Sequence, residues 1–336
     1  MVLQVAVLLP FRAFRSSPLY HYIPGEEMPP ARGGVEYLQD DTPALFLYRQ
    51  RFRFPGDSEV SVRGGVTGVL DAGTVVLPHE ETSVDRVADC ARMLASAESD
   101  PGSLWLWCND ANALLSPLLD TTGEAEIQVT DRFGCLHQMW AVTDAGRIRN
   151  IQCALKGRPL FLADGHHRFA AGWNLATIQI RSHALRSLPS HRLVIAAGEM
   201  SLPGGVPVHD VAGYLSSPAA GRHRCVIVRR GPVFEGIEIA CEVQVERLLP
   251  GATVQPIREM AEAVEAVQSG LAQMALLGTP VLVEQIEGDA RRGILLPPKS
   301  TDFYPKLVAG VISYRPQKEN VTPPVAHRPG VRNPSS

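Results

Sequence analysis

Apolar residues fall in short runs broken by proline and glycine, a pattern that predicts many short elements and no long helix. Ala44 to Arg53 (ALFLYRQRFR) and Gly64 to Leu70 read as neighbouring strands joined past a turn at Pro55-Gly56, and Val2 to Leu9 reads as a first strand. Leu104 to Trp107, Glu126 to Thr130, Gln138 to Val142 and Leu160 to Ala163 read as further strands, with Val281 to Gln285 and Gly293 to Leu296 as late ones. Helical spacing takes over from Ser83 to about Ser96, where Val84, Val87, Ala88, Ala91 and Leu94 recur behind a Thr82 or Ser83 cap. A second helix is expected to begin with Phe169 to Ala176. A third is expected over roughly Ile257 to Leu271, with Met260, Ala261, Val264 and Val267 on one face. Strands and helices alternating in this way predict an α/β protein, an α+β mixed sheet in one large unit over residues 1–314. A division near 200–215 would separate an N-terminal from a C-terminal part, and residues 315–336, rich in Pro, Asn and Ser, are expected to be a disordered tail.

Composition narrows the function classes. Hydrophobic residues make up 45% and charged residues 20% of the 336, which is ordinary for a soluble globular chain. A formal net charge of −3 gives no basic footprint for nucleic acid or a membrane surface. No apolar run approaches the roughly 20 residues of a membrane span. The opening MVLQVAVLLPFRAFR has neither a basic leader nor a small-residue cleavage site. Six cysteines without a C-x-x-C pair or zinc spacing read as reduced thiols of a cytoplasmic protein.

Candidate chemistry concentrates where the chain changes direction. The most informative stretch is Pro159 to Phe169, four apolar residues followed by Asp164-Gly165-His166-His167-Arg168. A buried strand ending in a tight turn before a helix presents backbone N–H groups and a positive dipole end, which suits a phosphate. Arg168 adds forked donors, and two imidazoles complete a candidate nucleotide site. The second cluster is Leu77-Pro78-His79-Glu80-Glu81-Thr82, where His79 and Glu80 offer a general base or a metal ligand, or simply an acidic start to the next helix. The third is Pro297-Pro298-Lys299-Ser300-Thr301-Asp302-Phe303-Tyr304-Pro305-Lys306. Its lysines and hydroxyls, stiffened by prolines, fit a loop that neutralises phosphate charge. His191 and His209 are lesser candidates, each reading first as a structural histidine. Neither a Walker loop, a G-x-G-x-x-G fingerprint nor a G-x-S-x-G elbow is present, so any nucleotide is held by an unusual cradle.

These clusters, taken in order, resemble the bacterial and archaeal family known as Domain of Unknown Function 1015. The resemblance rests on LLPFRAFR, LFLYRQRF, LPHEETSVDR, FGCLHQMWAV, FLADGHHRFAAGW and LPPKSTDFYPKLVAGVI, which together cover residues 5 to 314 with gaps. The central motif is also similar to the phosphate-binding turn of the ParB and sulfiredoxin superfamily, which includes free-serine kinases. That likeness implies a ParB/sulfiredoxin-like core with additional α/β elaboration. It further implies nucleotide phosphate binding near Asp164 to Arg168. His166 stands where sulfiredoxins carry their catalytic cysteine, which argues against thiol repair. The Pro-Pro-Tyr-Asp segment usual in the family is reduced here to Met28-Pro29-Pro30-Ala31.

The leading expectation is therefore a cytoplasmic small-molecule kinase, a transferase that moves phosphoryl from ATP or ADP with Mg²⁺ to a small, serine-like hydroxylated metabolite. Gly165, His167, Arg168, Lys299, Ser300, Thr301 and Lys306 would bind phosphates. His79, Glu80, Asp164 and His166 would supply the base, with Asp164 and Glu80 as magnesium ligands. The alternatives are a ParB-like nucleotide-dependent switch or nucleotide hydrolase, and a metal-dependent hydrolase using His79, His166, His167 and Asp164.

Overall fold

A computed structural model describes residues 8–24, 35–95, 102–121, 123–189, 191–196, 204–217, 223–232, 234–239 and 251–315. The chain divides into two compact units, the first Met1–Leu185 with Glu287–Ile294 and Tyr304–Ser336, the second Arg186–Ile286 with Leu295–Phe303.

The first unit opens with β1 (Leu8–Leu9), β2 (Phe14–Ser17), β3 (Glu36–Gln39), β4 (Leu45–Phe52), β5 (Ser61–Leu70), β6 (Val76–Leu77) and helix α1 (Val84–Ala95). It continues with β7 (Leu104–Cys108), β8 (Ile127–Thr130), β9 (Leu136–Val142), α2 (Ala145–Leu155), β10 (Leu160–Asp164), α3 (His166–Ala170) and β11 (Leu175–Ile180). One nine-stranded sheet runs β6-β10-β7-β11-β5-β4-β9-β8, with β1 added on β5. It is mixed: β10 lies parallel to β6 and β11 parallel to β7, while the other pairs are antiparallel. All five residues of β7, LWLWC, are buried, as are the first four of β10, LFLA. Such unbroken apolar runs belong to strands covered on both faces, where alternation has no solvent side to mark. Trp105, Trp107, Phe46 and Phe161 are the large side chains at the centre of this core.

The second unit carries β12 (Ser187–Leu188), β13 (His191–Ala196), β14 (Val206–Val208), α4 (Val211–Ser216), β15 (His223–Val228), β16 (Phe234–Ile239), β17 (Thr253–Ile257), α5 (Met260–Gln268), β18 (Met274–Gly278), the start of α6 (Val283–Arg292) and β19 (Asp302–Phe303). Its six-stranded sheet runs β14-β16-β15-β18-β13-β17. Val226, Val228, Leu277 and Ala275 on that sheet pack with Ala263 and Val267 of α5. Back in the first unit, β20 (Ile312–Ser313) pairs with β2, which also pairs with β3.

Several expected elements differ. The helix after Arg168 is a single short turn, because Gly172 at φ +94° ends it and the chain enters β11 at Leu175. Residues 281–285 and 293–296 are not strands. α6 spans Val283–Arg292 and buries Val283, Ile286 and Ala290 at helical spacing. The helix expected over 257–271 is Met260–Gln268, and Ile257 ends a strand before it. Of the expected first strand, Leu8–Leu9 is described, and residues 2–7 and 316–336 lie outside the described residues. Among the described residues no helix is long and apolar enough to cross a membrane.

Candidate functional site

Strand register brings distant residues together. β6 and β10 are parallel neighbours, Val76 opposite Leu160 and Leu77 opposite Phe161, so the chain leaves their C-terminal ends side by side. Pro78, His79 and Glu80 follow β6, and Asp164 ends β10 before Gly165, His166 and His167. The carboxyl ends of parallel strands are the usual place for a ligand in α/β sheets. Gly165 turns the chain at φ +97°, where a Cβ would come within 2.8 Å of Leu104 Cδ2 and 3.0 Å of Arg168 Nη2. Only glycine combines that left-handed backbone with such a close approach.

The two histidine segments interlock. The His79 backbone N–H donates to His166 Nε2 at 3.4 Å, and the two rings meet edge to face with centroids 4.6 Å apart. Ser83, at the threshold of α1, donates its N–H to His167 Nε2 at 3.3 Å. A backbone N–H can only donate, so both Nε2 atoms act as acceptors and the ring proton sits on Nδ1. Burial and the neighbouring His166 lower His79 to about 3, and burial also lowers His166. Both imidazoles are therefore neutral at pH 7. Glu80 Oε1 lies 3.9 Å from His79 Nε2.

Asp164 is the electrostatic hub. Its Oδ2 accepts from Arg168 Nη2 at 2.8 Å and its Oδ1 from Lys306 Nζ at 3.1 Å. Arg168 Nη1 donates to the Gly102 and Ser103 carbonyls at 3.0 and 3.3 Å, and Trp173 Nε1 reaches the same Gly102 oxygen at 2.8 Å. Arg168 is thus woven into the loop before β7 as well as onto Asp164. Of the two expected magnesium ligands, Asp164 here accepts a cationic donor on each carboxylate oxygen.

The structure therefore gathers His79, Glu80, Asp164, Gly165, His166, His167, Arg168 and Lys306 in the first unit. Lys299, Ser300 and Thr301 belong to the second unit. There the Ser300 hydroxyl donates to the Pro297 carbonyl at 2.8 Å, and the Lys299 carbonyl accepts from Arg192 Nη2 at 2.8 Å. His191 Nδ1 accepts the Gly278 N–H at 3.2 Å, a structural histidine.

Sequence reasoning passed over a second buried polar group. Asp131, Cys135 and His137 bring a carboxylate oxygen, a sulfur and an imidazole nitrogen within 4.8 Å of one another. Internal hydrogen bonds account for the grouping. Asp131 Oδ1 takes the Phe133 and Cys135 N–H groups, and Oδ2 lies 3.2 Å from His137 Nε2. His137 Nδ1 lies 2.5 Å from the Tyr48 hydroxyl, which also accepts the Val308 N–H at 3.3 Å. The available signal was Tyr48, Gln50 and His137, polar side chains at strand spacing inside apolar runs. Trp107 and Glu287 were also missed. The Trp107 indole N–H donates to Glu287 Oε1 at 3.0 Å beneath His79.

Residues 35–200 match the model of the family described as Protein of unknown function (DUF1015). Over that span, 166 of the 336 residues, the chain is similar to the DUF1015 family. The DUF1015 segment contains every gathered residue except Lys306. No curated protein matches the chain. Among solved structures the chain is similar to a free serine kinase in complex with AMP, at 14% identity over 68% of this chain and 83% of that one, with a TM-score of 0.40. A conserved hypothetical protein from Pyrococcus furiosus is 10% identical over 68% and 86% of the two chains, with a TM-score of 0.37. C-terminally truncated SbnI from Staphylococcus aureus is 10% identical over 69% and 81%, with a TM-score of 0.36.

Proposed function

We propose that this protein binds a nucleotide at the ends of β6 and β10 and transfers a phosphoryl group to the hydroxyl of a small metabolite. The observation that carries the reading is the Lys306–Asp164–Arg168 bridge standing beside His166 and Glu80 where two parallel strands end. Phosphoryl transfer asks a protein for cations and donors around spread-out negative charge, and for a base that receives the acceptor's proton. Lys306 stands on Asp164 and brings the positive charge that phosphate oxygens need. The Nδ1–H of neutral His166 is a further donor. Arg168 orients Asp164 and does not itself clamp phosphate.

The base follows from the electrostatics. His79 at about 3 is too weak, and Asp164 is quenched by two cations. Glu80 takes the proton. As the acceptor oxygen bonds to phosphorus, its proton passes to the Glu80 carboxylate, the bond to the leaving nucleotide oxygen breaks, and Lys306 balances the charge released there. The test is incubation with ATP or ADP and a panel of hydroxy amino acids, read by phosphorus NMR. A phosphate ester is expected from the wild type, and Glu80→Gln should form it roughly 100-fold or more slowly, the usual worth of a general base, while calorimetry shows nucleotide still bound. No ester with any acceptor, or full turnover by Glu80→Gln, overturns the reading. Free phosphate alone would assign a nucleotide hydrolase or switch instead.

A further inference from the structure

Lys306 reaches Asp164 from a segment that has no regular structure of its own, and the residues holding that segment sit on the large sheet. Tyr48 and Gln50 are two apart on β4 and so share a face, and Arg63 on β5 lies directly opposite Gln50. All three are 2% exposed or less. Arg63 Nη1 donates to the Tyr304 carbonyl at 3.0 Å and Nη2 to the Pro305 carbonyl at 2.7 Å. Gln50 Nε2 donates to the Lys306 carbonyl at 2.9 Å, and the Tyr48 hydroxyl accepts the Val308 N–H. Four residues of one segment are therefore held by three side chains of one sheet face. Gln50 Oε1 in turn accepts from Arg63 Nη2 and from Gln179 Nε2, each at 2.9 Å, which fixes the amide's orientation.

Arg63 is an unusual residue to find there. Its guanidinium lies 4.7 Å from the Phe52 ring centroid and 4.5 Å from that of Trp105, a stacked cation between two aromatic faces. Among the described residues no carboxylate is within ion-pair distance, and its buried Nε has no hydrogen-bond partner. Burial lowers its pKa to about 9, which leaves it charged at neutral pH. A buried cation without a counter-charge and with an idle donor destabilises a fold relative to an apolar residue of similar volume. What Arg63 supplies in exchange is placement of carbonyls 304 and 305, next to Lys306, which meets Asp164.

We infer that Arg63, supported by Gln50, is a positioning residue that fixes residues 304–308 against β4 and β5 so that the Lys306 ammonium stands on Asp164. The inference rests on the proposed function only in giving Lys306 a ligand to meet; the positioning itself is measurable without one. The chain has four lysines (Lys156, Lys299, Lys306 and Lys318), so brief acetylation read by mass spectrometry resolves each amine. In the wild type Lys306 should label slowly beside exposed Lys156. Arg63→Met should raise the Lys306 rate about tenfold or more, at least the size of one of the two charge-assisted hydrogen bonds it removes, while the buried Cys108 thiol stays protected. If Arg63→Met does not fold, Gln50→Met reads the same contact from the Lys306 carbonyl. An unchanged Lys306 rate in the folded variants, or Cys108 becoming reactive in step with Lys306, overturns the inference, the latter by showing general loosening. ATP affinity adds the second arm: Arg63→Met should weaken it as much as Lys306→Ala does, and the double variant should be no weaker than Lys306→Ala alone. Additive losses would count against positioning. Full ATP affinity in Lys306→Ala, together with a faster-labelling Lys306 amine in the Arg63→Met single variant, would leave the positioning standing and remove Lys306 from the proposed phosphate site.

Discussion

Replacing Arg168 with lysine separates two roles that its position in the Asp-Gly-His-His-Arg turn makes equally natural. In the structure Arg168 is 9% exposed and sends Nη1 to two carbonyls and Nη2 to Asp164. A lysine keeps the charge but brings one nitrogen, which can serve Asp164 or the Gly102 and Ser103 carbonyls, not both. Losing one such charge-assisted bond in a buried site costs about 1.5–3 kcal/mol, with an unmatched carbonyl adding to it. For a domain of this size each kcal/mol lowers Tm by about 2–4 °C, so Arg168→Lys should melt roughly 5–10 °C below the wild type. Differential scanning calorimetry without nucleotide reads this directly. Titration calorimetry with ATP on the folded variant should then show a far smaller loss than Lys306→Ala produces. A Tm within about 1 °C of wild type, with ATP affinity strongly reduced, would refute the anchoring role and return Arg168 to the phosphates.

Three further outcomes are expected. His79 is held at about 3 and His166 is also lowered, whereas the unfolded chain takes up these protons near 6.5. Their contribution to stability is thus complete above pH 6.5 and shrinks as pH falls, by up to about 1.4 kcal/mol per pH unit for each imidazole; a Tm that stays flat between about pH 7.5 and 5 would contradict the buried neutral pair. Gly165→Ala forces a side chain into the φ +97° turn against Leu104 and Arg168, and should lower stability by about 2 kcal/mol or more in chemical denaturation, an unchanged midpoint being the contrary result. Trp107→Phe removes the indole donor to the buried Glu287 carboxylate and should cost about 1.5–3 kcal/mol; full stability in the same assay would mean that Asn109 and Arg181 satisfy Glu287 on their own.

The parts of the fold that could be read in the sequence are those whose burial is either unbroken or periodic. β4, β7 and β10 declare themselves as apolar runs, and α1 by its spacing, because each is governed by the water it avoids or faces. α6 was misread because Val281 to Gln285 looks like a strand end, while the apolar positions that matter, Val283, Ile286 and Ala290, spread over a segment rich in charge. α2 escaped notice although Ile148, Ile151 and Leu155 follow the same spacing behind an Asp144 cap. The helix after Arg168 was overextended for another reason. Alanine and leucine favour helix locally, but β11 sits between β7 and β5 in the middle of the sheet, and that tertiary demand outweighs propensity.

The site divides along a similar line. The turn after β10 and the acidic segment after β6 were visible because each is a local cluster of reactive side chains. Their meeting was expected because each lies where a strand ends before a helix, and the parallel register of Val76 with Leu160, which no short window contains, is what brings it about. Lys306 shows the harder case. A lysine after a proline carries no signal that distinguishes it from Lys299, yet one lies on Asp164 and the other belongs to the second unit. The difference is written on β4 and β5, in Tyr48, Gln50 and Arg63, polar residues where an amphipathic strand should bury apolar ones. Buried polar side chains of that kind have most of their donors and acceptors matched, so each one points to the backbone it holds. Here they point to residues 304–308, and through them to the ammonium on Asp164.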